Sequence, residues 1–131
     1  MSRWLSRALI RGPFLRLCLD ERDFRAALRD IECQKPHPSF LGSAQADATT
    51  HLISSNRGLV AIVTLGDMTK RDLVEVYALL VHEAVHVWQA LREDLGERDP
   101  SHEFEAYALQ SIAGTLMQAY TERRGRKRVR K

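Results

Sequence analysis

His82-Glu83-Ala84-Val85-His86 sets two imidazoles four residues apart, with a carboxylate beside the first. On an α-helix, residues four apart stand one turn apart on the same face, so His82 and His86 can share one metal ion. Glu83 projects from the edge of that face, where it can take a proton from a metal-bound water. With this chain's His and Glu content, an HExxH match arises by chance at a rate on the order of one per cent. The motif therefore points to metal-assisted hydrolysis, provided that the surrounding sequence supplies a helix and further ligands.

The helix is written into the spacing. From Asp72 to Leu95, Leu73, Tyr77, Leu80, Ala84, Trp88, Leu91 and Leu95 form an apolar stripe of helical period. At 100 degrees per residue the opposite face carries Asp72, Glu75, Leu79, His82, Glu83, His86, Gln89 and Glu93. The histidines thus lie off the main apolar stripe, which argues against two imidazoles satisfied inside a core. Thr69 with Asp72 three residues on reads as a variant N-terminal cap, and Gly96 as the C-terminal stop.

A catalytic zinc takes three protein ligands and keeps a fourth position for water, so a third ligand is expected downstream. Asp99-Pro100-Ser101 reads as a helix start, with Pro100 in the first turn, and the helix then runs from His102 to about Thr121. Glu103, Glu105 and His102 are the candidate third ligands. Against a ligand role stands the general preference for acidic residues in the first turns of a helix.

The stretch HEAVH with Glu103-Phe104-Glu105-Ala106-Tyr107 downstream resembles the gluzincin class of zinc metallopeptidases. In several of those families the second helix carries Glu-x-x-Ala-Asp or Glu-x-x-Ala-Asn, and its first Glu is the ligand. The resemblance implies Glu103 as third ligand and Ala106 as the small residue one turn on. Tyr107 stands where those families have Asp or Asn, a departure that touches the outer-shell partner. More narrowly, HEAVHVWQ with EFEAYALQ is similar to small metallopeptidases encoded in tailed phages and prophages, over roughly residues 59–120. The resemblance implies an α+β fold, a small zincin-like domain with a short N-terminal β-sheet and two C-terminal helices carrying the metal site.

On that footing one zinc ion, held by His82, His86 and Glu103, would bring its bound water towards a pKa of about 7. Glu83 would act as the catalytic base towards a protein or peptide substrate and pass the proton to the leaving amine. Tyr107, His102 and Tyr120 are candidate donors to the developing oxyanion. The alternative is a non-catalytic phage structural or assembly protein, whose metal site only stabilises the fold.

At 131 residues, with 44% hydrophobic and 28% charged residues, the chain is sized and composed for one globular domain. No run of 18 or more apolar residues offers a membrane-spanning helix. Arg3, Arg7 and Arg11 interrupt the apolar residues of the N-terminal stretch, which reads as a short surface helix rather than a secretory signal. Cys18 and Cys33 are too few for a disulfide framework, so a reducing cytoplasmic setting is expected: the host cytoplasm for a phage-encoded chain, with virion association a further option.

Charge is segregated. The formal net charge is +3, yet residues 123–131 (RRGRKRVRK) hold seven Arg or Lys and no acid. The other residues carry 13 basic and 17 acidic side chains, a net −4. The chain therefore divides into a domain over residues 1–122 and a basic C-terminal tail over 123–131, expected to be disordered when free. The tail suits nucleic acid or an acidic partner, and its lack of aromatics leaves base stacking unsupported.

Upstream, residues 14–19 read as a strand and Asp20 as the cap of a helix over Glu21 to Ile31. Residues 34–45, with Pro36, Pro38 and Gly42, read as a loop. Thr49 to Ser54 and Leu59 to Leu65 read as strands joined by a turn at residues 55–58. The unbroken apolar run Leu59 to Leu65 suits a strand covered on both faces; it or its hairpin partner is also a candidate to bind an extended substrate.

Overall fold

The computed structural model describes Trp4, residues 12–43 and residues 45–129, with side chains as far as Arg124. The stretch around Arg3, Arg7 and Arg11 lies outside the described residues. The elements run β1 (Phe14–Cys18), α1 (Glu21–Asp30), β2 (Ala48–Ser55), β3 (Gly58–Leu65), α2 (Leu73–Leu95) and α3 (His102–Val129). Together they form a small α+β domain with a three-stranded sheet and three helices.

β2 and β3 make an antiparallel hairpin in which Ser55 faces Gly58 across a two-residue turn. Gly58 has φ +120°, a backbone conformation open to glycine and strained for other residues. β1 then pairs in parallel with the far side of β3, Phe14 opposite Val60 and Cys18 opposite Thr64, so the strand order is β1-β3-β2. β3 is central. Its unbroken apolar sequence suits that place, because both of its faces are covered.

On one face Ala61, Val63 and Leu65 join Leu15 and Leu17 of β1 against Val76, Leu80, Ala84, Val87 and Leu91 of α2 and Leu116 of α3. On the other, Val60 and Ile62 pack with Cys18 against Phe24, Ala27 and Leu28 of α1. The alternation along β1 and β3 is the period-2 geometry of a pleated strand. α1 starts at Asp20, whose carboxylate accepts from the Asp23 amide at 2.8 Å.

α2 begins and ends on residues with clear reasons. Asp72 itself is the N-cap, accepting from the Glu75 amide at 2.9 Å, which corrects the Thr69 cap expected from sequence. Gly96 closes the helix in the left-handed conformation at φ +72°. The buried face is Val76, Leu80, Glu83, Ala84, Val87, Trp88 and Leu91, rotated from the expected stripe, and Leu95 is exposed. The rotation has a simple cause: α2 packs on the sheet and on α3 at once, so its buried arc centres between the two.

α3 starts after Ser101, whose hydroxyl accepts from the Phe104 amide at 3.2 Å, while Pro100 precedes the cap rather than lying in the first turn. It continues to Val129, past the expected end near Thr121, so the described backbone of the basic segment is helical through that residue. Arg and Lys are good helix formers, and the single Gly125 costs only about 1 kcal/mol. Arg123 folds back to Asp23 at 3.0 Å, and the same carboxylate takes Arg16, which also reaches Asp30. Arg123 thereby belongs to the folded body.

Cys18 and Cys33 are both free. Among the described residues no helix is long and apolar enough to cross a membrane.

Candidate metal centre

His82 and His86 lie on the solvent side of α2, over a cleft of about 620 Å³ between that helix and β2. The cleft is lined by Ala48, Thr49, Thr50 and Leu52 from β2 and by His82, Glu83, His86, Gln89, Ala90 and Glu93 from α2. β2 is an edge strand, paired on one side only. β3 is paired on both sides and has no free edge for a substrate strand, whereas its hairpin partner β2, the other strand named for that role, has one.

The two imidazoles converge. His82 Nε2 and His86 Nε2 stand 3.3 Å apart, with the rings edge to face at 72°. Two nitrogens bound to one tetrahedral zinc at about 2.0–2.1 Å lie about 3.3–3.4 Å apart, the edge of the tetrahedron. The pair thus has the spacing that such an ion requires. His86 Nδ1 lies 3.2 Å from Gln89 Oε1, a hydrogen bond in which the ring N–H donates and Nε2 keeps its lone pair for a ligand role.

Glu83 takes a different position from its neighbours. It is only 5% exposed, turned under the histidines towards the sheet. The Thr50 hydroxyl donates to Glu83 Oε2 at 2.8 Å and lies 3.3 Å from the Glu83 backbone carbonyl. The motif's carboxylate is thus fixed between helix and edge strand on the wall of the cleft. The expectation that Glu83 shares the exposed face of α2 is corrected: one residue step, about 100 degrees, carries it from the open face to the sheet-facing one.

The third ligand is another matter. Among the described residues no group of three or more His, Cys, Asp or Glu side chains is close enough to hold one ion. Glu103 stands exposed in the first turn of α3 and is not brought to the pair. Glu105 accepts from Trp88 Nε1 at 2.8 Å, and Phe104 packs on the same indole with ring centroids 5.7 Å apart. Trp88 marks the face of α2 on which the start of α3 rests, and helical geometry sets His82 and His86 about 120 and 160 degrees away from it. α3 therefore approaches α2 from the wrong side to present Glu103 to both imidazoles.

The expected oxyanion donors lie elsewhere as well. Tyr107 is exposed on α3, Tyr120 is buried in the main core, and His102 is exposed at the start of α3; none lines the cleft. Two residues to which the sequence assigned no role take part. Gln89 was legible as the residue one turn beyond His86 on the same face, whereas Thr50 is 33 positions from Glu83 and is brought there only by the fold.

No family model, no curated protein and no solved structure matches the chain, so the site is read from its own residues.

Proposed function

We propose that this chain is a zinc-dependent peptide hydrolase built on a minimal zincin-like domain. The observation that carries the reading is the 3.3 Å approach of His82 Nε2 to His86 Nε2 on the rim of a cleft whose wall holds Glu83. Bound zinc supplies Lewis acidity and an acidified water at neutral pH. His82 and His86 would hold the ion, and Gln89 keeps the His86 ring in the tautomer that leaves Nε2 free. The Glu83 carboxylate, steadied by Thr50, accepts the proton of the attacking water and returns it to the leaving amine. The free edge of β2 offers backbone groups to an extended peptide lying along the cleft. No carboxylate among the described residues completes the pair, so Glu103, which the resemblance names, and Glu105, which Trp88 engages, are both tested as third ligand by substitution.

The first measurement is zinc content by elemental analysis on untagged wild type, His82→Ala, Glu103→Ala and Glu105→Ala. The expected result is about one zinc per chain, lost in His82→Ala and retained in Glu105→Ala. Loss in Glu103→Ala names the third ligand; retention removes it from the site. Glu83→Gln should keep zinc and thermal stability while hydrolysis of a peptide library falls at least about 100-fold. Undiminished hydrolysis in Glu83→Gln, or a folded wild type that binds no zinc, ends this reading.

A second reading is favoured by the burial of Glu83 and its bond to Thr50. Here the motif is a packing device of a non-catalytic assembly protein, tying α2 to β2. On that reading no peptide is cut by any variant, and His82→Ala alters at most the unfolding temperature.

A further inference from the structure

The C-terminal end of α3 is a feature that the metal centre leaves unused. Arg123 is clamped to Asp23, which also takes Arg16, so α3 is tied to α1 at that residue. Beyond that clamp the helical backbone continues through Val129 and carries Arg124, Arg126, Lys127 and Arg128. Four cationic residues over six helical positions span about 9 Å of axis, or one charge per about 2 Å. Duplex nucleic acid presents one phosphate per about 1.7 Å of its axis. The two charge densities match.

We propose that the α3 extension, Arg124 to Arg128, is a binding site for double-stranded nucleic acid, read through its phosphates and without sequence preference. The match in linear charge density favours this occupant. An acidic protein is disfavoured because residues 123–131 contain no aromatic and one aliphatic side chain, Val129, and so lack the buried anchors on which protein interfaces depend. An anionic membrane is disfavoured by the same shortage, since interfacial helices bury Trp, Phe or Leu. Single strands release fewer counterions per contact, about 0.7 against about 0.9 for the duplex, and a segment without aromatics adds no stacking to offset this. A merely solubilising end does not account for the segment either. Without residues 123–131 the chain has net charge −4, larger in magnitude than the +3 of the whole. The site is independent of the metal reading and stands whether or not the chain cuts peptides.

The test is fluorescence anisotropy of a short labelled DNA duplex of arbitrary sequence, titrated with full-length protein over a salt series. Binding should weaken with salt at a slope of about −4 in log K against log salt, from about 0.9 per phosphate neutralised. Deleting residues 125–131 should flatten the slope by about three units or more, with the unfolding temperature unchanged. If the deletion lowers that temperature, the full-length quadruple variant Arg124→Gln, Arg126→Gln, Lys127→Gln, Arg128→Gln replaces it and should show the same loss. The proposal is overturned by absence of duplex binding at low salt, or by a slope that survives the substitutions. Equal or tighter binding to poly-glutamate or to vesicles containing anionic phospholipid overturns it too.

Discussion

Gln89 shows how one side chain can prepare another. Its amide oxygen accepts from His86 Nδ1–H, which leaves the Nε2 lone pair turned towards His82. Partners of this kind set ring orientation and tautomer, and their loss typically weakens metal affinity about 10- to 100-fold. Gln89→Ala is therefore expected to lower zinc affinity by about 10-fold or more without lowering the unfolding temperature, as read by competition with a chromophoric chelator. Unchanged affinity would show that Gln89 does not orient the ligand. Cys18 marks the other extreme. Burial, with Asp23 close by, pushes the Cys18 thiol up to about 12, so at neutral pH it is a small apolar group packed on α1 and no nucleophile.

At the scale of elements, the register between α2 and α3 decides which carboxylate can serve the histidines. The indole N–H of Trp88 donates to Glu105, Phe104 packs against the ring at a tilt, and Tyr77, nearer the start of α2, meets Thr121 at 2.7 Å. These contacts pin α3 to the side of α2 away from His82 and His86. Trp88→Phe keeps the aromatic packing but leaves Glu105 without its donor, at a cost of about 1–3 kcal/mol. Urea unfolding should report that loss while zinc content stays unchanged. A Trp88→Phe variant that lost its zinc would instead make Glu105 part of the metal centre. The β2–α2 contact plays the complementary part, since the Thr50 hydroxyl fixes Glu83 on the wall of the cleft.

At the scale of the whole molecule, the core on the α1 side of the sheet contains a buried imidazole. His51 lies against Phe24 with ring centroids 4.6 Å apart and approaches the Phe40 carbonyl at 3.0 Å, to which Thr64 also donates. Desolvation holds its pKa below the ordinary 6.5; the Phe40 carbonyl and, more weakly, Glu83 pull the other way. Because the folded value lies below the unfolded one, the unfolded chain binds the extra proton first. Stability from this group is full above about pH 6.5 and declines as pH falls through that value, by at most about 1.4 kcal/mol per pH unit. Urea midpoints measured from about pH 7 downward should trace this limb, and His51→Gln should flatten it. A limb unchanged in that variant would assign the titration to another group.

The local elements were legible because their causes are local. Asp20 caps α1 through its own side chain, Gly96 ends α2, and the residue types of β3 already announced a strand covered on both faces. The paired histidines were equally legible, since four residues of helix fix their separation whatever surrounds them. What the linear chain could not carry was direction between elements. Nothing in residues 72–121 states which side of α2 receives α3; that was settled by Trp88, Phe104 and Glu105 finding one another, and it left Glu103 away from the imidazoles. Nor could spacing reveal that Thr50 would meet Glu83, a contact made only when β2 takes the outer edge of the sheet beside α2. Helical period and capping depend on neighbours a few residues apart, whereas the side from which a third ligand approaches depends on how all the buried faces pack together.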